Sequence, residues 1–210
     1  MTSVAETRPG GDPRAEESRQ RILAAAEKLI AVRGIEKVRL RDIATEAKVS
    51  IGKIQHYFET RDAVVEEMLK TASLRRVAQW ATFASDIDDP AAKLISLLEH
   101  SVTDRERCTV WLATVSAASR NERFMPDVVR TYDAWRAKFT EEIGLGSDRG
   151  TFHPTAPIDQ VVDEIICLID GLMTAAAIDL APYTPQRNAI MLRHVTGLLV
   201  GLSLDEQTRS

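Results

Sequence analysis

The chain has 210 residues, 44% hydrophobic and 28% charged, with few aromatics and a formal net charge of −4, which excludes a disordered, collagen-like or disulfide-stapled protein. Cys108 and Cys167 stand far apart, in no CxxC or Cys/His ligand spacing, so neither a disulfide framework nor a zinc module is expected. The length allows a small unit and a larger one that each bury a core.

Charge is unevenly placed. Residues 14–62 hold eleven Lys/Arg against eight Asp/Glu, and residues 63–210 hold fifteen against twenty-one. A basic first segment before an acidic remainder fits a polyanion met only by the first. The N-terminus has acidic residues and no apolar signal-peptide core. The most apolar later run, 158–180, carries Asp159, Asp163, Glu164, Asp170 and Asp179, which a lipid-facing span would not. A cytoplasmic protein without a membrane partner is therefore expected.

Residues 1–14, with Pro9, Gly10, Gly11 and Pro13, read as a flexible arm whose Arg8 and Arg14 could touch DNA. Ile22, Ala26, Leu29 and Ile30 recur at helical spacing from Ala15, and Gly34 stops that helix. Leu40, Ile43 and Ala44 give a second, shorter apolar face, and Val49, Ile51, Ile54 and Phe58 a third. Only Ala47-Lys48-Val49-Ser50 separates the two, and Ser50 is a good N-cap. Two short helices joined by so tight a turn are a helix-turn-helix.

Thr60-Arg61-Asp62 can cap the next helix, whose apolar period runs past Trp80. Further helices are expected at about 90–103, opened by Pro90, and at 105–120 and 122–143. Residues 144–157 read as the longest loop, and its glycines make no phosphate loop, since no GK[ST] follows. Helices at about 157–181 and 185–204 close the chain. With no alternating strand pattern and no repeat, the fold is expected to be all-α: a flexible arm over 1–14, a three-helix DNA-binding domain over 15–61, and a larger helical ligand-binding and dimerisation domain over 62–210.

The second helix of a helix-turn-helix lies in the major groove and the first crosses the backbone. With Ile51, Ile54 and Phe58 facing the core, Lys53, Gln55, His56 and Tyr57 project toward DNA. Gly52 permits a close backbone approach, from helix one or from DNA.

In this order and spacing, the Ile-Leu and Ala-Ala-Glu of helix one, Gly34, Asp42-Ile43-Ala44, Ala47, Val49-Ser50, Gly52, Phe58 and Arg61-Asp62 resemble the TetR family of transcriptional regulators over about Arg19 to Leu69. Carried over position by position, the resemblance implies DNA-backbone contacts from Arg39, Arg41, Ser50, Lys53, Tyr57 and Arg61, with Lys53, Gln55 and His56 nearest the bases. Lys48 stands where the family favours glycine, so it either adopts a left-handed backbone at about 1 kcal/mol or alters the turn, and adds positive charge there. Gln55 replaces the usual tyrosine and can pair with adenine. The QHYF form resembles the BetI-like, choline-responsive branch, without naming choline as the ligand.

The resemblance further implies a small-molecule effector and a homodimer. Ligand candidates are His100, Cys108, Trp111, Met125 and Tyr132, with Trp135, Phe139, Asp170 and Met173, although aromatics at helical spacing also make ordinary core. Dimer-interface candidates are Ile165, Ile169 and Met173 of one closing helix, and Ile190, Val195, Leu198, Leu199 and Leu202 of the other. No HExxH or Glu-x-x-His occurs, so no cofactor, metal or catalytic residue is expected. A ligand-responsive regulator, in most such proteins a repressor released from a near-palindromic operator, is the expected function. The alternatives are an activator, or an all-helical enzyme or binding protein in which the motif is only structural.

Overall fold

Ser50, Thr60, Asp89, Asp104 and Thr184 each stand one residue before a helix, and each side chain accepts the backbone N–H three residues on. Such caps contribute about 1 kcal/mol apiece. The computed structural model describes residues 13–202. Among them are α1 (Pro13–Arg33), α2 (Leu40–Ala47), α3 (Ile51–Phe58), α4 (Arg61–Thr82), α5 (Pro90–Val102), α6 (Arg105–Ala118), α7 (Met125–Asp148), α8 (Ile158–Ala177) and α9 (Pro185–Val200), with single 3-10 turns at Ile35–Lys37 and Glu122–Phe124 and no strand. Most of the expected arm lies outside the described residues; Pro13 and Arg14 already belong to α1. No described helix is long and apolar enough to cross a membrane.

Two apolar clusters form the interior. The first joins Ile22, Ala26 and Ile30 of α1 to Ile43 of α2, Ile54 and Phe58 of α3, and Val64 to Ala72 on the first half of α4. Val110 and Ala117 of α6 also enter it. The second is built from Trp80 at the far end of α4, Leu94, Leu97 and Leu98 of α5, Phe139 and Ile143 of α7, Ile165 and Ile169 of α8, and Leu192 of α9. One helix, α4, is thus anchored in both. Midway, buried Ser73 Oγ donates to the Asp127 carbonyl at 3.0 Å and fixes α4 to α7.

The long loop is shorter than the glycines suggest. α7 continues through Gly144 and Gly146 to Asp148, and only 149–157 is irregular. Gly146 is inside the helix because the Phe152 ring lies on it: a Cβ there would come within 2.1 Å of that ring. The returning segment ties to the end of α9 through His153 N–H to Val200 O (2.7 Å) and Thr155 N–H to Leu199 O (2.9 Å).

A second correction concerns α8. Ile165, Ile169 and Met173 are buried in the protomer's own core, so they are not free to meet another subunit. A helix apolar on most sides does not disclose which side faces its own core. Outward lie Cys167, Gly171, Thr174 and Ile178, beside the exposed Ile190 and Leu198 of α9. Val195, Leu199 and Leu202 are half-buried.

Candidate nucleic-acid interface and the helical core behind it

The turn between α2 and α3 sets the interface. Lys48 sits at φ 54°, ψ 46° in the left-handed region, while Val49 N–H reaches back to Ala44 O at 3.0 Å and Lys48 N–H to Thr45 O at 3.2 Å. These closures satisfy the last carbonyls of α2. Of the two conformations open to Lys48, the strained one is adopted, and it leaves the side chain exposed.

Ser50 then caps α3, its Oγ accepting Lys53 N–H at 3.1 Å. Ile54 and Phe58 are buried in the first cluster, and Lys53, Gln55 and His56 are exposed. Tyr57 is half-buried, its ring edge-on to His56 at 5.3 Å, and its hydroxyl has no hydrogen-bond partner among the described residues. Ile51 corrects the expectation of a packed residue: it is 44% exposed. At the first position of an eight-residue helix it points away from the core that Ile54 and Phe58 reach. An exposed isoleucine at the start of a reading helix is suited to a thymine methyl.

Gly52 is also exposed, and a Cβ there would meet only Ser50 Oγ, at 4.0 Å. The protein's own packing therefore does not require glycine at this position. Asp42 accepts the Arg39 backbone N–H at 2.9 Å at the start of α2.

Charge pairing divides the basic residues of the first unit. Arg19, Lys28, Arg33 and Arg61 lie within 4.0 Å of Glu67, Glu46, Asp42 and Asp62. Arg39, Arg41, Lys48 and Lys53 are exposed, and among the described residues none has a carboxylate at that distance. Four unpaired cations thus follow one another along the entry to α2, α2, the turn and α3, with Arg21 and Lys37 the other exposed cations of this unit that have no carboxylate at that distance among the described residues. Arg61 is differently employed: Nε donates to Val38 O at 3.0 Å and Nη2 to Ile35 O, so most of its donors are used inside the protein.

Behind this head, four of the ligand candidates converge. Trp111, Tyr132 and Trp135 have ring centroids 5.0–5.7 Å apart, and Trp111 Nε1 donates to Asp170 Oδ1 at 3.0 Å while Tyr132 OH donates to Oδ2. Burial raises the Asp170 carboxyl above its ordinary range, against the pull of those two hydrogen bonds. Burial likewise raises the Tyr132 hydroxyl, helped by its bond to Asp170. The buried Trp135 indole N–H finds no acceptor among the described residues. Phe139 and Met173 are core. So is Cys108, whose thiol burial pushes up to about 11. Met125 is set apart on the surface, 43% exposed.

His100 belongs to a different place. It stacks on Phe83 with centroids 4.0 Å apart and meets Arg107 Nη1 through Nε2 at 2.6 Å. Burial first, and Arg107 second, hold its pKa down to about 4, so the neutral ring accepts from the guanidinium. Both line a groove of about 830 Å³ between α1, α4 and the α5–α6 corner. Arg76 also lines it, only 6% exposed and 5.8 Å from the Trp111 ring centroid. Neither Arg76 nor Arg107 stands out in the sequence as a candidate site residue. The available signal was an arginine at a position where the α4 period demands an apolar residue, between Ala72 and Trp80.

An all-α chain with a capped helix-turn-helix, an unpaired basic strip along it and a larger helical body is a DNA-binding regulator by architecture. Residues 22–68 match the family described as bacterial regulatory proteins, tetR family, and residues 90–200 the family described as BetI-type transcriptional repressor, C-terminal. The chain belongs to the TetR family of transcriptional regulators, with a BetI-type C-terminal part. It is 25% identical to the HTH-type transcriptional regulator PksA of Bacillus subtilis over 92% of this chain and 96% of that one. It is also 25% identical to the HTH-type transcriptional repressor KstR2 of Mycolicibacterium smegmatis, over 68% and 71%. Among solved structures, a transcriptional regulator from Saccharomonospora viridis in complex with choline superposes with a TM-score of 0.77 at 25% identity, over 84% of this chain and 94% of that one.

Proposed function

We propose that the protein is a homodimeric repressor that grips a near-palindromic operator through α3 and is released by a small-molecule effector. The observation that carries the operator reading is the exposed basic strip along the helix-turn-helix: Arg39, Arg41, Lys48 and Lys53 stay exposed with no carboxylate within 4.0 Å among the described residues, while Arg19, Lys28 and Arg33 nearby are paired. Phosphates are the partner such a strip accepts. Lys53, Gln55 and His56 are the base-facing set, joined by Ile51. The KstR2 relative, named a repressor, supports the sign of regulation.

Self-association is supported by the outward face of α8 and α9. A groove of about 350 Å³ there is lined by Cys167, Gly171, Ile178, Leu180, Tyr183 and Met191, beside exposed Ile190 and Leu198. An apolar face of this kind is unfavourable in water unless covered, and a second copy brings two reading heads to two half-sites.

Release follows from α4, which is rooted in both clusters. An effector that binds the DNA-incompetent arrangement more tightly shifts the population toward it, and α4 carries the change from the body to the head. The Saccharomonospora neighbour was solved with choline. In this chain the Arg76 guanidinium already faces Trp111 as a cation would, which argues against carrying choline over.

The test is a mobility-shift titration against fragments flanking the protein's own gene at several salt concentrations. A specific complex with a steep salt slope is expected. Lys53→Ala should weaken binding and make the slope shallower by about one. Gln55→Ala should lose about 1–3 kcal/mol of discrimination at one base pair. An unchanged slope in Lys53→Ala, with no specific fragment retained, would return the motif to a structural role.

A further inference from the structure

The groove between α1, α4 and α6 contains a buried charge with no carboxylate in contact with it. Arg76 is 6% exposed, yet among the described residues no carboxylate lies within 4.0 Å of it and no acceptor takes its N–H groups; its one close partner is the Trp111 ring. Burial drags its pKa down to about 10, and Arg107 pushes in the same direction, outweighing the more distant Glu27 carboxylate, which pulls the other way. Arg107, half-buried in the same groove, is likewise without a carboxylate at that distance. Its side chain meets neutral His100, and Asp104 accepts only its backbone N–H, at 3.1 Å. Burial also lowers the Arg107 guanidinium, against the pull of the nearby Asp104 carboxylate.

The two other cations of the groove are ion-paired, and its remaining carboxylates do not contact Arg76 or the Arg107 side chain. Arg75 is paired with Glu27 and Lys28 with Glu46 at 2.6 Å. Asp104 caps α6, and Glu106 is exposed in its first turn. Two partly desolvated guanidinium groups of like charge therefore converge on a space of about 830 Å³, within the range of small-molecule sites. An isolated buried charge is among the costliest arrangements in a protein unless something pairs with it.

We propose that this groove is a binding site for an oxyanion, a carboxylate or phosphate group borne by a small molecule, held by Arg76 and Arg107. Guanidinium forks suit such groups by geometry as well as charge. The ring stack of Phe83 and His100 on the wall gives a flat surface for the rest of the molecule. One wall belongs to α1, through Ala24, Glu27, Lys28 and Ala31, and the opposite wall to α4 and α6. A ligand here sits directly between the reading head and the body. The proposal rests on the regulatory reading only for its consequence, since binding itself requires no DNA.

The test uses the full chain without DNA. Inorganic phosphate and acetate are titrated separately against chloride at matched ionic strength, following thermal melting and tryptophan fluorescence, because Arg76 lies against Trp111. Phosphate, acetate or both should raise the melting temperature and change the fluorescence; the more effective one identifies the head group. Arg76→Met should weaken that response by roughly tenfold or more, and Arg107→Gln should weaken it if Arg76→Met does not fold. Lys53→Ala should leave it intact, which separates this groove from the DNA-facing strip. A wild-type response no different from chloride, or one that survives both arginine substitutions, overturns the proposal while leaving operator binding untouched.

Discussion

Arg61 at the start of α4 donates from Nε to the carbonyl of Val38 at 3.0 Å, so the helix after the reading head is fastened to the strand of chain between α1 and α2. A second donor reaches Ile35 O, and Nη1 pairs with Asp62 at 2.8 Å. Arg61→Met should therefore cost about 1–3 kcal/mol in chemical denaturation, the penalty of stranding partly buried carbonyls. In the same variant the salt slope of operator binding should match wild type. A slope shallower by about one would instead place Arg61 on a phosphate.

Lys48 carries opposed effects in one side chain. Lys48→Gly relieves a left-handed backbone and should stabilise the fold by about 1 kcal/mol. It also removes a cation from the strip, so operator affinity should fall and the salt slope lessen. Denaturation and mobility-shift measurements on one preparation should move in opposite directions.

The two sides of the closing helices should respond differently to charge. Leu198 is 63% exposed, so Leu198→Glu should leave monomer stability nearly unchanged, within about 0.5 kcal/mol, and shift light scattering toward monomer. Ile165→Ala, in the core, should cost about 2–5 kcal/mol whatever the oligomeric state. Dimers that persist in Leu198→Glu would place the interface elsewhere.

His100 gives a pH signature. Its folded pKa, pushed down to about 4 from 6.5, means that between those values the unfolded chain holds a proton the folded chain does not. Stability therefore falls as pH drops through that window, and this contribution levels off below about 4. Against wild type, His100→Gln should lose less stability between pH 7 and 4.5 in urea denaturation; equal losses would show that the ring does not titrate as its surroundings require.

The local geometry of the head was readable because its signals are short-range: Ser50 as cap, Gly34 as stop, and the apolar spacing of Ile54 and Phe58. Ile51 shares that spacing but sits at the helix's first position, where register alone does not decide whether a side chain reaches the core. In the body, the apolar belt of α8 announced burial without a direction, and Gly146 looked like a loop residue until Phe152 was seen to occupy the space its missing side chain leaves. Trp111, Tyr132 and Asp170 come from three helices, and no spacing rule joins residues 59 and 38 positions apart. Arg76 and Arg107 escaped for a similar reason: a cation on a helix reads as solvated until tertiary packing covers it and supplies no carboxylate.

The double anchorage of α4, with Val110 and Ala117 of α6 filling the first cluster, has a thermodynamic consequence. Neither cluster can come apart without exposing part of the other's apolar surface, so the head and body are coupled in melting as well as in signalling. Calorimetry should record one cooperative transition rather than two, and a fragment ending in mid-α4 should lose much of the head's stability. A molecule that wedges between α1 and α6 would thus be felt across the whole chain as a change in heat resistance.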